Sequence, residues 1–231
     1  MYKYLLWDID GTVLDFVASE KYAIETLFFK YKLGECTDEM LQIYSKINRK
    51  YWEALERKEM TKPEILVGRF REFFEVMGID TKLAEQFNKD YQVTLGDCIV
   101  FSEHAKELLQ DQKEKYVLIA ATNGTKIAQT KKLKNSGLDQ IFHGIYISEN
   151  VGFEKPSIEY FQYIFEKENI TDTKEVLIIG DSLTSDMQGG VNIGIDTCWY
   201  NPKHKENTDS IPVTYEIDSL SKLSIILKAN D

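Results

Sequence analysis

Trp7-Asp8-Ile9-Asp10-Gly11-Thr12, directly behind the apolar run Tyr4-Leu5-Leu6, decides how the rest of the chain is read. The apolar run has the character of a strand buried on both faces of a parallel sheet. Where that strand should end, two carboxylates stand one residue apart and a glycine follows at once. Open α/β sheets bind their ligands at the carboxyl ends of the strands. Two acids held there cost desolvation free energy unless a cation or a proton neutralises them. The remaining sequence is therefore expected to supply a metal, a positive charge and something for the acids to act on.

The chain has 231 residues, enough for one large domain or a core with an inserted one. Its net charge is −10, from 28 basic and 38 acidic residues. That balance argues against a nucleic-acid polymer or an anionic membrane as partner, because counterion release needs a basic face. Small anions remain compatible with it. Cys36, Cys98 and Cys198 are odd in number, far apart and outside any CxxC pair, so free thiols in a reducing compartment are expected. No early segment has the make-up of a secretion signal, and no apolar run approaches membrane-spanning length. A cytoplasmic location follows.

From Asp8 outward the texture changes twice. A short loop, Val13 to Val17, leads into residues 17–96, where the periodicity is helical throughout. Ile24, Leu27, Phe28 and Tyr31 form one stripe, with Gly34 as its stop. Met40, Tyr44, Ile47, Tyr51 and Leu55 form a second after Thr37. Leu66, Phe70, Phe73 and Met77 form a third, opened by the capping-box pattern Thr61-Lys62-Pro63-Glu64 and closed by Gly78. A fourth carries Leu83, Phe87 and Tyr91. A segment of this size can form a small bundle of its own and is read as an insertion into the first βα unit. Aromatics such as Phe16, Tyr22, Phe28, Tyr51, Trp52, Phe70 and Phe73 fall in or beside it, and core packing is the favoured role for each.

Beyond residue 97 helix and strand alternate. A helix from Ser102 to about Lys113 precedes the buried strand Tyr116–Ala121, ended by Thr122-Asn123-Gly124. A helix from Thr125 to Ser136 and a strand-like stretch Ile141–Ser148 follow. Lys155-Pro156 precedes a helix with Ile158, Phe161 and Phe165 on one face. Strand Val176–Ile179 ends in Gly180-Asp181-Ser182. A helix to Ile193, strand Asp196–Tyr200, a short strand Tyr215–Ile217 and a helix from Ser219 complete the chain. Such alternation implies an α/β fold with a doubly wound, Rossmann-like parallel sheet. The domains are then residues 1–16 with 97–231, and the helical insertion 17–96.

Three strands end in polar clusters: Asp8 and Asp10, Thr122 and Asn123, and Asp181 with Asp186 beyond it. In a parallel sheet these ends share one edge, so the clusters can converge. Each alone is equally well explained as a helix N-cap. Their order, with Lys155 between the second and third, makes coincidence a poor account.

Asp8-x-Asp10-Gly11-Thr12, Thr122-Asn123-Gly124, Lys155-Pro156 and Gly180-Asp181-x4-Asp186 resemble the four motifs of haloacid dehalogenase (HAD)-superfamily phosphatases. The resemblance covers essentially the whole chain, and the insertion resembles that superfamily's C1 cap. Gly152-Phe153-Glu154-Lys155-Pro156, Gly180 to Asp186 and Gly194 to Trp199 are similar to the YjjG/YfnB type of pyrimidine 5′-nucleotidase.

The resemblance implies Asp8 as a nucleophile that takes the phosphoryl group as an aspartyl-phosphate, and Asp10 as the acid that protonates the leaving oxygen and then the base that activates water. It implies Thr122, the backbone N–H of Asn123 and Lys155 as phosphate ligands, with Lys155 also paired to Asp8. It implies Mg²⁺ bound by Asp8, the backbone carbonyl of Asp10, Asp181 and Asp186, the last either directly or through water. The charge balance agrees. Unit charges about 4 Å apart repel by roughly 4 kcal/mol at an effective dielectric of about 20, so several acids beside a phosphate dianion need a divalent cation.

The expectation is a Mg²⁺-dependent phosphomonoester hydrolase acting on nucleoside 5′-monophosphates, as a monomer or homodimer. A sugar-phosphate or phosphoglycolate phosphatase is the alternative. A non-catalytic nucleotide- or protein-binding regulator would be expected to have lost Asp8, Asp10, Lys155 or Asp181. All four are present.

Overall fold

The computed structural model describes residues 1–229. It contains a six-stranded, wholly parallel sheet in the order β3-β2-β1-β4-β5-β6. The strands are β1 (Tyr4–Trp7), β2 (Val117–Thr122), β3 (Gly144–Ile147), β4 (Val176–Gly180), β5 (Asp196–Tyr200) and β6 (Tyr215–Ile217). The helices are α1 (Phe16–Tyr31), α2 (Asp38–Glu56), α3 (Lys62–Met77), α4 (Ala84–Thr94), α5 (Ala105–Gln112), α6 (Lys126–Ser136), α7 (Ser148–Val151), α8 (Ile158–Glu168), α9 (Gln188–Ile193) and α10 (Leu223–Ala229). Strand order reverses at β1, which lies between β2 and β4, and such a switch point is where this architecture binds ligands.

Strands β1, β2 and β4 are apolar along almost their whole length because both faces are covered. Leu5, Trp7, Leu118, Ala120, Leu177 and Ile179 pack with Leu108 and Leu109 of α5, Leu133 of α6 and Leu223 and Leu227 of α10. Tyr4, Leu6, Ile119, Ala121, Val176 and Ile178 face the other way and meet Tyr160, Phe161 and Ile164 of α8. Helices on both faces make the sheet doubly wound, as the alternation in sequence implies.

The chain divides into two compact units, one of Met1–Phe16 with Ile99 onward and one of Val17–Cys98. Within the first, Leu14 pairs with Phe101, and the Asp15 N–H donates to the Val100 carbonyl at 2.8 Å. The segments leaving and re-entering this unit are thus hydrogen-bonded beside the turn that carries Asp10.

The helical unit is built on aromatics. Phe70, fully buried, has Tyr44, Tyr91 and Phe87 rings at 5.0, 5.0 and 5.1 Å. Phe28, Phe73 and Phe74 complete the cluster, so Phe28, Phe70 and Phe73 are core as expected, whereas Phe16, Tyr51 and Trp52 are half-buried and Tyr22 is exposed. A buried polar chain crosses this core: Arg69 donates to the Asn48 side chain at 2.6 Å, and Asn48 donates to Glu20 at 2.9 Å. The start signals act as read. Thr37 accepts from the Met40 N–H, and Glu64 accepts from the Thr61 N–H at 2.8 Å.

Several boundaries differ from the sequence reading. The first helix begins at Phe16 and stops at Tyr31, not at Gly34, because Lys32 takes the left-handed conformation (φ 56°) and the Leu33 N–H returns to Phe28. In α3 the buried arc is Ile65, Arg69, Phe70, Phe73 and Phe74, with Leu66 and Met77 at its margin. Packing against both α2 and α4 widens that arc beyond one stripe. The helix expected from Ser102 starts at Ala105, after His104 at φ 64°. The stretch from Ile141 to Ser148 yields only the four-residue β3, and α7 follows it directly. The helix expected after Ser182 opens as a π-turn, Leu183–Met187. The C-terminal helix begins at Leu223, after a 3₁₀ turn at Leu220–Lys222. All three cysteines are free thiols. Among the described residues no helix is long and apolar enough to cross a membrane.

Truncating Phe70 would open a void amid four rings. Phe70→Ala is expected to destabilise the helical unit by about 3–5 kcal/mol, read as the denaturant midpoint of the first unfolding transition.

Candidate active site

Asp8 is the first residue after β1, and its N–H extends the sheet ladder by donating to the Ile179 carbonyl at 2.9 Å. The chain then turns back tightly: Val13 and Leu14 N–H groups both return to the Ile9 carbonyl, and the Gly11 N–H donates to Leu14. Gly11 has φ +96°, and a Cβ there would lie 2.8 Å from the nearer carboxylate oxygen of Asp181. Backbone conformation and close approach both demand glycine at this point.

Asp181 follows β4, and the Trp199 indole N–H donates to its carbonyl at 3.1 Å. The π-turn then places Asp186. Ser182 caps that turn by accepting from the Ser185 N–H at 3.1 Å, while Asp186 accepts from the Ser182 N–H at 3.2 Å. One carboxylate oxygen from each of Asp8, Asp181 and Asp186 lies within 4.8 Å of the others.

Lys155 enters this group from the loop before α8. Its ammonium donates to Asp8 at 2.7 Å, to Asp186 at 2.6 Å and to the Ala121 carbonyl at 2.7 Å, so its three protons have three acceptors. Asn123 fixes the Lys155 backbone from both sides: its amide donates to the Lys155 carbonyl and accepts from the Lys155 N–H, each at 2.8 Å. Thr122, also buried, accepts from the Gly124 N–H at 3.1 Å. The ends of β1, β2 and β4 and the Lys155 loop therefore meet, as their order in sequence suggested.

Charge is unbalanced here. Burial, with the neighbouring charges of Asp186 and Asp10, pushes the Asp8 carboxyl up to about 7 against the opposing pull of Lys155. Burial and the Asp8 charge push Asp181 up to about 6. Asp186 is raised by burial in spite of Lys155. Burial opposes the Lys155 charge, yet Asp186 and Asp8 outweigh it and hold the ammonium above the ordinary lysine range. One lysine does not neutralise three clustered carboxylates, of which Asp8 and Asp186 are buried and Asp181 is half-buried. A set of hard oxygen donors that cannot all stay ionised alone fits a divalent cation such as Mg²⁺. Lys205, half exposed and 3.9 Å from Asp181, adds little.

The Asp10 carboxylate stands outside this acid cluster, which leaves its backbone carbonyl as the donor that the resemblance implies. Its side chain is held by α6: Gln129 Nε2 donates to one oxygen at 2.6 Å and Lys132 Nζ to the other at 2.5 Å.

Sequence reasoning missed Gln129, Lys132, Ser185 and Trp199. For the first two a signal existed. Thr125, Gln129 and Lys132 fall at i, i+4 and i+7 on the helix that follows Thr122-Asn123-Gly124, so a polar stripe leads inward from the site. Nothing in the sequence marks the bond from Trp199, because it depends on β5 lying beside β4.

The family model of haloacid dehalogenase-like hydrolases matches residues 5–200. The HAD-hydrolase YfnB of Bacillus subtilis is 39% identical over 228 residues, covering 98% of this chain and 95% of that protein. Its crystal structure bound to magnesium superposes with a TM-score of 0.92 at 38% identity, over 98% of each chain. The pyrimidine 5′-nucleotidase PynA of Streptococcus pneumoniae is 36% identical over 99% of this chain and 96% of its own length. The pyrimidine 5′-nucleotidase YjjG of Escherichia coli is 29% identical over 97% of each. With its sheet order, its switch-point acids and this match over most of its length, the chain belongs to the haloacid dehalogenase-like hydrolase family.

Proposed function

We propose that this protein is a phosphomonoesterase working through a covalent phosphoryl group on Asp8, with pyrimidine nucleoside 5′-monophosphates as substrates. The observation that carries the reading is the Lys155 ammonium, bonded at once to Asp8 and Asp186 at the sheet's switch point. A carboxylate oriented by a buried cation is a nucleophile held in place, and phosphoryl transfer is catalysed mainly by positioning and charge. The nucleotide class is supported by PynA and YjjG, two relatives of nearly full length that are named as pyrimidine 5′-nucleotidases.

Asp8 attacks phosphorus, and the bond to the leaving oxygen breaks as Asp10 protonates that oxygen. Water then attacks the same phosphorus, Asp10 takes its proton, and phosphate leaves with Asp8 restored. Thr122, whose hydroxyl accepts from Gly124 and keeps its own proton to donate, and the Asn123 N–H hold phosphate oxygens. Lys155 shares its charge between Asp8 and the phosphate as negative charge shifts between them. Asp8, Asp181, the Asp10 carbonyl and Asp186 (directly or through water) would hold Mg²⁺, which supplies the positive charge that lets a dianion approach these acids.

Asp8→Asn is expected to lower phosphate release by about 10⁴-fold or more with the fold unchanged. Full turnover in that variant would exclude Asp8 as nucleophile. In a panel at equal concentration, uridine and thymidine monophosphates are expected to exceed purine nucleotides and small sugar phosphates in kcat/KM. Equal values would leave a phosphatase without nucleotide preference.

The acids also fix a pH dependence. Unfolded Asp carboxyls titrate near about 3.9, whereas Asp8 reaches about 7 and Asp181 about 6 in the folded chain. The folded state therefore binds more protons, and these groups withdraw stability from the metal-free protein as pH rises through that range. A cation needs both acids ionised, so the thermal midpoint gained on adding Mg²⁺ should be larger at about pH 8 than at about pH 5. An equal gain at both values would place the cation elsewhere.

A further inference from the structure

We propose that Lys132 and Gln129 are positioning residues for Asp10, fixing its carboxylate so that one group can serve as acid in the first step and base in the second. The inference rests on the phosphomonoesterase reading and deepens it.

Lys132 has no exposed side-chain surface, and a lysine is almost never fully buried unless paired. Its ammonium lies 2.5 Å from Asp10 Oδ1 and 5.1 Å from the centre of the Phe16 ring. Gln129, also buried, donates to Asp10 Oδ2 at 2.6 Å, and its own Oε1 has no partner among the described residues. An orphaned buried oxygen is destabilising, and a helix face with a purely packing role would not need it. The carboxamide is turned to suit Asp10.

With a donor on each oxygen, the Asp10 carboxylate cannot rotate without breaking a bond. The two donors come from successive turns of α6, so a regular element sets the orientation, and Asp10 itself sits on a loop. Gly124 makes room: a Cβ there would overlap the Gln129 side chain, which therefore reaches Asp10 across the backbone of the Thr122-Asn123-Gly124 turn. The two lysines at the site divide the acids, Lys155 taking Asp8 and Asp186 and Lys132 taking Asp10.

The test compares two substrates with Mg²⁺ present. Uridine 5′-monophosphate releases an alkoxide that needs a proton, whereas p-nitrophenyl phosphate releases a phenolate that does not. If Lys132 and Gln129 position the acid, Lys132→Met should lose about tenfold or more in kcat/KM on the nucleotide beyond its loss on p-nitrophenyl phosphate, a part of the 10²–10⁴ that acid–base catalysis contributes. KM should move less than about twofold, and Lys132→Arg should recover much of the difference. Gln129→Met makes the same comparison if Lys132→Met does not fold. Equal proportional losses on both substrates, or none, in a folded variant would overturn the proposal, since a merely structural role affects both alike. Asp10→Asn separates the two levels of the argument. Selective loss on the nucleotide in that variant upholds Asp10 as the acid. Equal loss removes Asp10 as the acid and overturns this inference alone, whereas no hydrolysis by the unsubstituted protein overturns the phosphomonoesterase reading itself.

Discussion

The core unit depends on one ammonium group held between two buried carboxylates. Lys155 joins Asp8 at the end of β1 to Asp186 in the π-turn beyond β4, and its third proton goes to the carbonyl of Ala121 in β2. Three strands distant in sequence are thus tied at one point. Such buried ion pairs seldom add net stability, because desolvating the charges offsets their attraction, while removal of one partner strands the other. What this pair supplies is position. Asn123 makes that position definite by holding both backbone groups of Lys155.

The same point concentrates negative charge. Burial and mutual repulsion lift Asp8 and Asp181 toward neutrality, and a carboxylate nucleophile must be ionised. The site is therefore under tension until more positive charge arrives, a state that favours function at some expense of stability. Gly11 belongs to the same compromise: its backbone fills the space beside the Asp181 carboxylate that any side chain would occupy.

The sheet was legible because its signals are local. Runs such as Leu118–Ala121 and Val176–Ile179 are apolar and bounded by turn residues, and both are strands. The convergence of Asp8, Asp181, Asp186 and Lys155 was legible for a different reason, since parallel strands deliver their carboxyl ends to one edge whatever their separation. What could not be read depended on packing across elements. The spacing of Thr125, Gln129 and Lys132 marks a polar stripe on α6, but only the position of Asp10 across from it explains why that stripe is buried. Ser185 accepts from the Asn123 amide at 3.4 Å and Trp199 donates to the Asp181 carbonyl, bonds between elements that the sequence does not identify as neighbours. The inward arc of α3 was misplaced because two helices flank it, and the end of α1 was missed because Lys32, not a glycine, adopts the left-handed turn.

The central claim is that these elements meet so that Asp8 can bond to phosphorus. Rapid quenching of Asp10→Asn during turnover of p-nitrophenyl phosphate with Mg²⁺, followed by mass spectrometry of its peptides, addresses it directly. That substrate needs no acid to leave, and the variant lacks the base that would release the adduct, so the phosphoryl group should accumulate on Asp8. Phosphoryl transfer to any other residue, or release of phosphate at the unsubstituted rate with Asp8 never modified, would contradict the account.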